Sequence, residues 1–262
     1  MVSLSSKLRR AKELISSLGS AAVALSGGVD SSLLTALAAE ALPDVVAFTV
    51  NSPLLPPWEL DYARAVAEHT GVKHVIVDFN ELNIAGFTKN TQERCYLCKK
   101  ARYSLLTRLA SRMGLAALLD GTTASDLTAR RPGLKAMREL GVRAPLAEAG
   151  LTKQEVREAA RSLKLPTAGK PQESCLATRI PAGEEITLER VFKVRAAEQA
   201  VRRALGEVLI RVRDHGEIAR IEVARSHLLK AAELLPAIAG DLRRLGYKYI
   251  TLDLEGYREA SH

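Results

Sequence analysis

The 262-residue sequence holds only three cysteines, and aromatic residues make up 4% of it. An odd number of thiols excludes a complete disulfide framework, so a reducing compartment with free or metal-bound thiols is expected. No apolar run approaches the ~20 residues that cross a bilayer. Residues 1–20 carry charge throughout and lack a signal-type apolar core, so neither a secretion signal nor a membrane anchor is expected, and the cytoplasm is the expected location. The Walker A phosphate-binding pattern is missing. So is a basic tail or a basic stripe interleaved with aromatics: the formal charge of +8 divides evenly between residues 1–150 and 151–262. Small phosphorylated substrates account for that charge as well as RNA does. Repeats and low-complexity tracts are also lacking. What remains is an ordinary globular composition, 47% hydrophobic and 26% charged, long enough for one large domain and a small one.

The chain is organised around residues 21–32, AAVALSGGVDSS. Ala21–Leu25 reads as a buried parallel strand, Ser26-Gly27-Gly28 as a tight turn, and Asp30 onward as a helix with Leu33, Leu34, Leu37 and Ala38 on its apolar side. Strand, glycine turn and helix N-terminus present backbone N–H groups at the positive end of a helix dipole, which suits a phosphate or pyrophosphate. SGGVDS resembles the pyrophosphate loop of the N-type (PP-loop) ATP pyrophosphatases, which include NAD synthetase, GMP synthetase and tRNA thiolases. That resemblance implies cleavage of ATP between its α and β phosphates.

Around this loop, helices are predicted at Ser5–Leu18, Trp58–His69 and Tyr96–Met113, and strands at Val45–Val50, Val75–Phe79 and Ala116–Leu119. The alternation argues for an α/β fold with a doubly wound parallel sheet, in which ligands lie at the carboxyl ends of the strands. The glycine loop, Asn51-Ser52, Asp78 and the turn Asp120–Thr123 should therefore converge. Thr152–Leu163 opens with a capping signal, Thr152 followed by Glu155. Thr167–Glu185 is too irregular for a regular element. Beyond it the pattern predicts a helix over Thr187–Leu205, strands over Val208–Arg213 and Glu217–Val223 around a turn at Asp214-His215-Gly216, a helix from Ser226 up to Pro236, and a last strand over Tyr247–Leu254. This is a second, smaller α/β domain, and the boundary is placed at 183/184. The five histidines are scattered and carry no assignment.

Cys95 and Cys98 form a CxxC at the start of a predicted helix, open to three readings: a redox pair, two metal ligands, or incidental thiols. Structural zinc needs four ligands, usually from two such knuckles. Cys175 lies in the irregular segment, among polar neighbours. Three thiolates fall one short of the set that usually holds an iron–sulfur cluster. A 4Fe-4S cluster held by three would leave one iron open to an exogenous ligand such as hydrosulfide.

SGGVDSSLL, RCYLCKKARYSLL, the run from Arg131 to Gly150, SCLATRIPAGEEIT, IRVRDHGEIARIEV and TLDLEGYR, collinear over nearly the whole chain, resemble the LarE family. These ATP-dependent sulfur transferases help to build the nickel-pincer nucleotide of lactate racemase. The resemblance implies Mg-ATP-driven adenylation of a carboxylate of pyridinium-3,5-biscarboxylic acid mononucleotide, then replacement of AMP by sulfur. It implies a nucleotide loop of Ser26, Gly27, Gly28, Asp30, Ser31 and Ser32, with Asp30 also catalytic, and a sulfur-handling Cys175. One branch of the family sacrifices the sulfur of that cysteine, leaving dehydroalanine. The branch with a CxxC holds a 4Fe-4S cluster on three cysteines, and Cys95 and Cys98 point to it. Arg211, Arg213 and Arg258 match arginines around the substrate, Glu222 is a candidate metal ligand, and homo-oligomers are implied. Rival readings are an iron–sulfur tRNA thiolase, an amidating synthetase, which leaves the cysteines unexplained, and a non-enzymatic carrier.

Overall fold

A computed structural model describes residues 2–127 and 132–258, so Arg131 of the quoted run lies outside the described residues. The chain forms two compact units, the first from Met1–Ser52, Pro57–Asn80 and Cys95–Lys170. Its regular elements are α1 (Leu4–Ser16), β1 (Ser20–Ala24), α2 (Val29–Ala41), β2 (Asp44–Asn51), α3 (Pro57–Thr70), β3 (Lys73–Asp78), α4 (Arg94–Arg112), β4 (Leu118–Leu119), α5 (Ala124–Leu127), α6 (Pro132–Glu139), α7 (Pro145–Glu148) and α8 (Lys153–Ser162). The four strands are parallel in the order β3-β2-β1-β4, with Ala22 opposite Val46 and Leu118, and Asn51 opposite Asp78.

Period-two alternation divides the strand side chains between two cores. Ala21 and Val23 pack with Ile15 of α1, Leu33, Leu34 and Leu37 of α2, and Val156 and Ala160 of α8. Ala22, with Val46, Phe48 and Val50 of β2, packs on Tyr103 and Leu106 of α4 and Met137 of α6. Both faces are covered, which is why β1 and β2 read as continuous apolar runs. The doubly wound expectation is met. At α8 the capping box is present: the Thr152 hydroxyl accepts from the Glu155 N–H at 3.3 Å, and Glu155 accepts from the Thr152 N–H at 2.8 Å.

The second unit comprises Pro53–Pro56, Glu81–Arg94 and Pro171–His262. It contains α9 (Leu188–Leu205), β5 (Ile210–His215), β6 (Ile218–Val223), α10 (Leu228–Arg244) and β7 (Tyr249–Leu252), in a sheet ordered β5-β6-β7. Strands β5 and β6 are antiparallel, while β6 and β7 are parallel and joined through α10. Its core gathers Ala197, Val201, Val212, Ile221, Val223, Leu235 and Leu242. The two early segments join this unit through specific bonds. Leu54 accepts from the Leu176 N–H at 3.0 Å, Arg195 donates to the Pro53 carbonyl at 2.6 Å, and the Asn90 amide donates to the carbonyls of Ile180 and Pro181 at 3.2 and 2.7 Å.

Two local expectations are corrected. The hairpin turns at Gly216-Glu217, not Asp214–Gly216: Asp214 and His215 are strand residues opposite Ala219 and Ile218, and Gly216 takes φ +70°. Asp214 is tolerated inside the strand because Arg190 and Lys193 neutralise its buried carboxylate, at 2.6 and 3.6 Å. The helix α10 also continues through Pro236. One backbone bond is lost there, but Ala231, Leu235 and Leu242 keep one face of the helix buried on both sides of the proline.

Candidate active site

In the first unit, β1 delivers the chain to Leu25, whose N–H donates to the Phe48 carbonyl at 2.9 Å, and the loop Ser26–Gly28 follows. Gly27 sits at φ +79°, and a Cβ there would stand 2.2 Å from the Glu59 carbonyl oxygen. Gly28 is the N-cap of α2 and supplies no capping side chain, so the first turn of α2 keeps its N–H groups for an anion. The serines shape the loop. Ser31 Oγ accepts from the Ser26 N–H at 3.1 Å and donates to the Gly28 carbonyl at 3.0 Å, and Ser32 Oγ donates to the same carbonyl at 2.8 Å. Ser31 and Ser32 are buried, whereas Ser26 is exposed.

The turn after β4 closes against this helix end: a Cβ on Gly121 would lie 2.7 Å from the Ser31 nitrogen. Asp30 is thereby surrounded by acid. Burial, then Asp126 and Asp120, push its pKa up to about 6 against the opposing pull of Lys153 and Arg157. Asp120 moves the other way. Burial raises it, but Lys99 and hydrogen bonds from Thr122 and Tyr103 outweigh burial and hold it below the usual carboxylate range. A divalent cation beside Asp30 and Asp120 would relieve this repulsion, and Mg²⁺ is commonly held by one or two carboxylates plus nucleotide phosphates. Among the described residues, neither unit gathers three or more His, Cys, Asp or Glu side chains as a metal cage. Asn51 donates to Asp78 at 2.7 Å at the ends of β2 and β3, so these two expected strand-end residues do meet.

Lys170 is the residue that sequence reasoning missed here. It is buried, pairs with the buried Glu59, lies 4.7 Å from the Tyr62 ring centroid, and donates to the Gly27 carbonyl at 2.9 Å. Its only signal in the sequence was its place in an irregular segment.

Cys95 and Cys98 lie in the first turn of α4, three residues apart and so on one face, with Cys95 exposed. Beside them the Tyr96 hydroxyl donates to Glu139 at 2.8 Å and accepts from Lys100 at 2.9 Å.

In the second unit Cys175 is exposed and immediately precedes a single 3-10 turn, Leu176–Arg179. The loop rests on buried charge. Arg179 binds Glu198 through Nε at 2.7 Å and Nη2 at 3.1 Å, and approaches Glu173 at 3.5 Å. Arg211 is buried as well, reaching Glu173 at 2.8 Å and the Gln172 carbonyl at 2.5 Å. Burial, and then Arg179, lower the Arg211 pKa. Arg213 donates to Glu222 at 2.8 Å and to the Thr178 carbonyl at 2.8 Å. The other oxygen of Glu222 accepts from Arg220 at 3.0 Å. Arg258 is exposed and pairs with Glu255 at 2.5 Å. The second unit thus brings Cys175, Arg211, Arg213 and Glu222 into one charged neighbourhood, with Arg179, Glu173 and Glu198 as members that the motifs did not single out.

Comparison with known proteins identifies the family. A family model described as asparagine synthase matches residues 6–212. The chain is 35% identical to pyridinium-3,5-bisthiocarboxylic acid mononucleotide synthase of Lactiplantibacillus plantarum, over 98% of this chain and 94% of that protein. It is 40% identical to an uncharacterized protein of Synechocystis, over 97% and 96%. It is 29% identical to the tRNA-specific 2-thiouridylase of Sphingopyxis alaskensis, over only 68% and 56%. The chain belongs to the PP-loop ATP pyrophosphatases and, within them, to the LarE family of ATP-dependent sulfur transferases.

Proposed function

We propose that this enzyme converts a carboxylate of pyridinium-3,5-biscarboxylic acid mononucleotide into a thiocarboxylate, using Mg-ATP and sulfur handled at Cys175. The likeness to the Lactiplantibacillus synthase, end to end in both chains, carries this reading. The reaction needs activation because a carboxylate is a poor electrophile. Adenylation turns one of its oxygens into the leaving group AMP. Loop N–H groups at the start of α2 take the charge that develops on pyrophosphate, and Asp30 would help to hold Mg²⁺ together with the nucleotide phosphates. Lys170 fixes the Gly27 carbonyl, so the loop needs little reorganisation as charge develops.

Sulfur delivery is assigned to Cys95, Cys98 and Cys175 as ligands of a 4Fe-4S cluster. That assignment rests on the family resemblance: Cys95 and Cys98 share one face of α4, Cys175 is exposed, and Arg179 binds the loop that carries it. Bound there, the cluster would supply sulfide to the activated acyl carbon and spare the C–S bond of cysteine. The exposed Arg258 stays assigned to the substrate, whereas Arg211 is committed to Glu173 and Gln172 and Arg213 to Glu222 and the Thr178 carbonyl, so a phosphate at either would have to displace those partners. A metal role for Glu222 is not carried forward, since Arg213 and Arg220 occupy its oxygens.

The test supplies Mg-ATP, the pyridinium substrate and a sulfide source to anaerobic enzyme and measures AMP and product mass. AMP together with a product heavier by the replacement of oxygen by sulfur is expected. ATP consumption with tRNA thiolation instead would establish the rival reading.

A further inference from the structure

We infer that Arg179 is a positioning residue for Cys175, holding the cysteine's loop in its reactive shape through the peptide carbonyls on either side of that residue's Cα. The inference rests on the sulfur-handling role given to Cys175, and Arg179 itself takes no part in bond making or breaking. Arg179 Nη1 donates to the carbonyls of Ser174 and Cys175 at 3.1 and 3.3 Å, to Ser174 Oγ at 2.6 Å and to Thr178 Oγ1 at 2.8 Å. This single nitrogen thus shares its two hydrogens among four acceptors from residues 174–178 around the cysteine. Nε and Nη2 are held by Glu198 of α9, whose Oε1 also accepts the Val212 N–H of β5 at 3.0 Å. The side chain is fully buried, so its geometry is set by the fold rather than by solvent.

Simple charge burial does not account for this arrangement. Pairing with Glu198 occupies Nε and Nη2 of Arg179, and Arg211 and Arg202 already meet Glu173, so the contacts of Nη1 with the cysteine's loop are additional to charge neutralisation.

The experiment compares the full-chain wild type with Arg179→Gln and Arg179→Lys. After anaerobic reconstitution, pyrophosphate release reports adenylation and thiocarboxylate formation reports transfer. In Arg179→Gln the first-turnover release of pyrophosphate should match wild type while thiocarboxylate formation falls by about 10²-fold. Arg179→Lys should lose transfer as well, because an ammonium cannot hold Glu198 through two nitrogens and still reach the loop. In iron-free protein at one fixed pH, the rate of iodoacetamide labelling, read by peptide mass, should change at Cys175 in both variants and stay the same at Cys95 and Cys98. Transfer at the wild-type rate in folded Arg179→Gln, or pyrophosphate release lost in step with transfer, would overturn the inference. If Arg179→Gln does not fold, Arg179→Lys decides, and transfer at the wild-type rate would overturn it. Failure of the wild type to form thiocarboxylate would instead strike the proposed function and leave the labelling comparison intact.

Discussion

Gly27 and Asp30 together define what the nucleotide loop requires. Gly27→Ala would drive a methyl into the Glu59 carbonyl and strain a positive-φ turn, so Mg-ATP binding measured by calorimetry should fall at least tenfold. Asp30 yields a prediction with a definite sign. Its pKa in the folded protein, about 6, exceeds the ordinary aspartate value of 3.8, so the folded state holds the proton more tightly. That contribution to stability is complete below about pH 4 and is lost as the pH rises through 6. In ligand-free protein, Asp30→Asn should therefore raise the melting temperature at pH 7.5 and leave it nearly unchanged at pH 4, while abolishing turnover. A melting temperature lowered equally at both pH values would refute the acidic repulsion described here. Lys170→Met removes the partner of buried Glu59 and should cost about 3–5 kcal/mol, read by denaturant unfolding.

At the scale of elements, the sequence exposed what repeats and hid what is unique. The β1–loop–α2 unit was legible because its apolar run, glycines and helical face each follow a local rule, and the capping box of α8 was legible for the same reason. Thr152→Ala should lower stability by about 1 kcal/mol in denaturant titrations. The turn at Gly216-Glu217 was misplaced by about two residues because Asp and His look like turn formers until Arg190 and Lys193 are seen to neutralise Asp214 inside the strand. Pro236 reads as a helix end, and only the tertiary burial of Ala231, Leu235 and Leu242 reveals that α10 passes through it. Arg179, Glu173 and Glu198 were invisible as a set. Their pairing joins residues up to 19 positions apart, with no periodicity to announce it.

For the whole molecule, a small phosphorylated ligand accounts for the evenly spread +8 charge as well as a nucleic acid does, and salt dependence separates the two. Substrate binding should weaken with salt only as one or two released counterions would require, a log–log slope of about 1–2 against the steeper slope expected for tRNA. The Lactiplantibacillus relative spans nearly the whole of both chains, whereas the tRNA thiouridylase matches just over half of its own length. Three cysteines are the feature of the molecule that an amidating synthetase leaves without a purpose. The most direct test is the iron and acid-labile sulfide content of anaerobically purified wild type and Cys95→Ser. The account predicts about four irons and four sulfides per wild-type chain and their loss in the variant. Iron-free protein even after anaerobic reconstitution, with Cys175 losing the mass of one H₂S in a single turnover, would contradict it and make Cys175 the sulfur source.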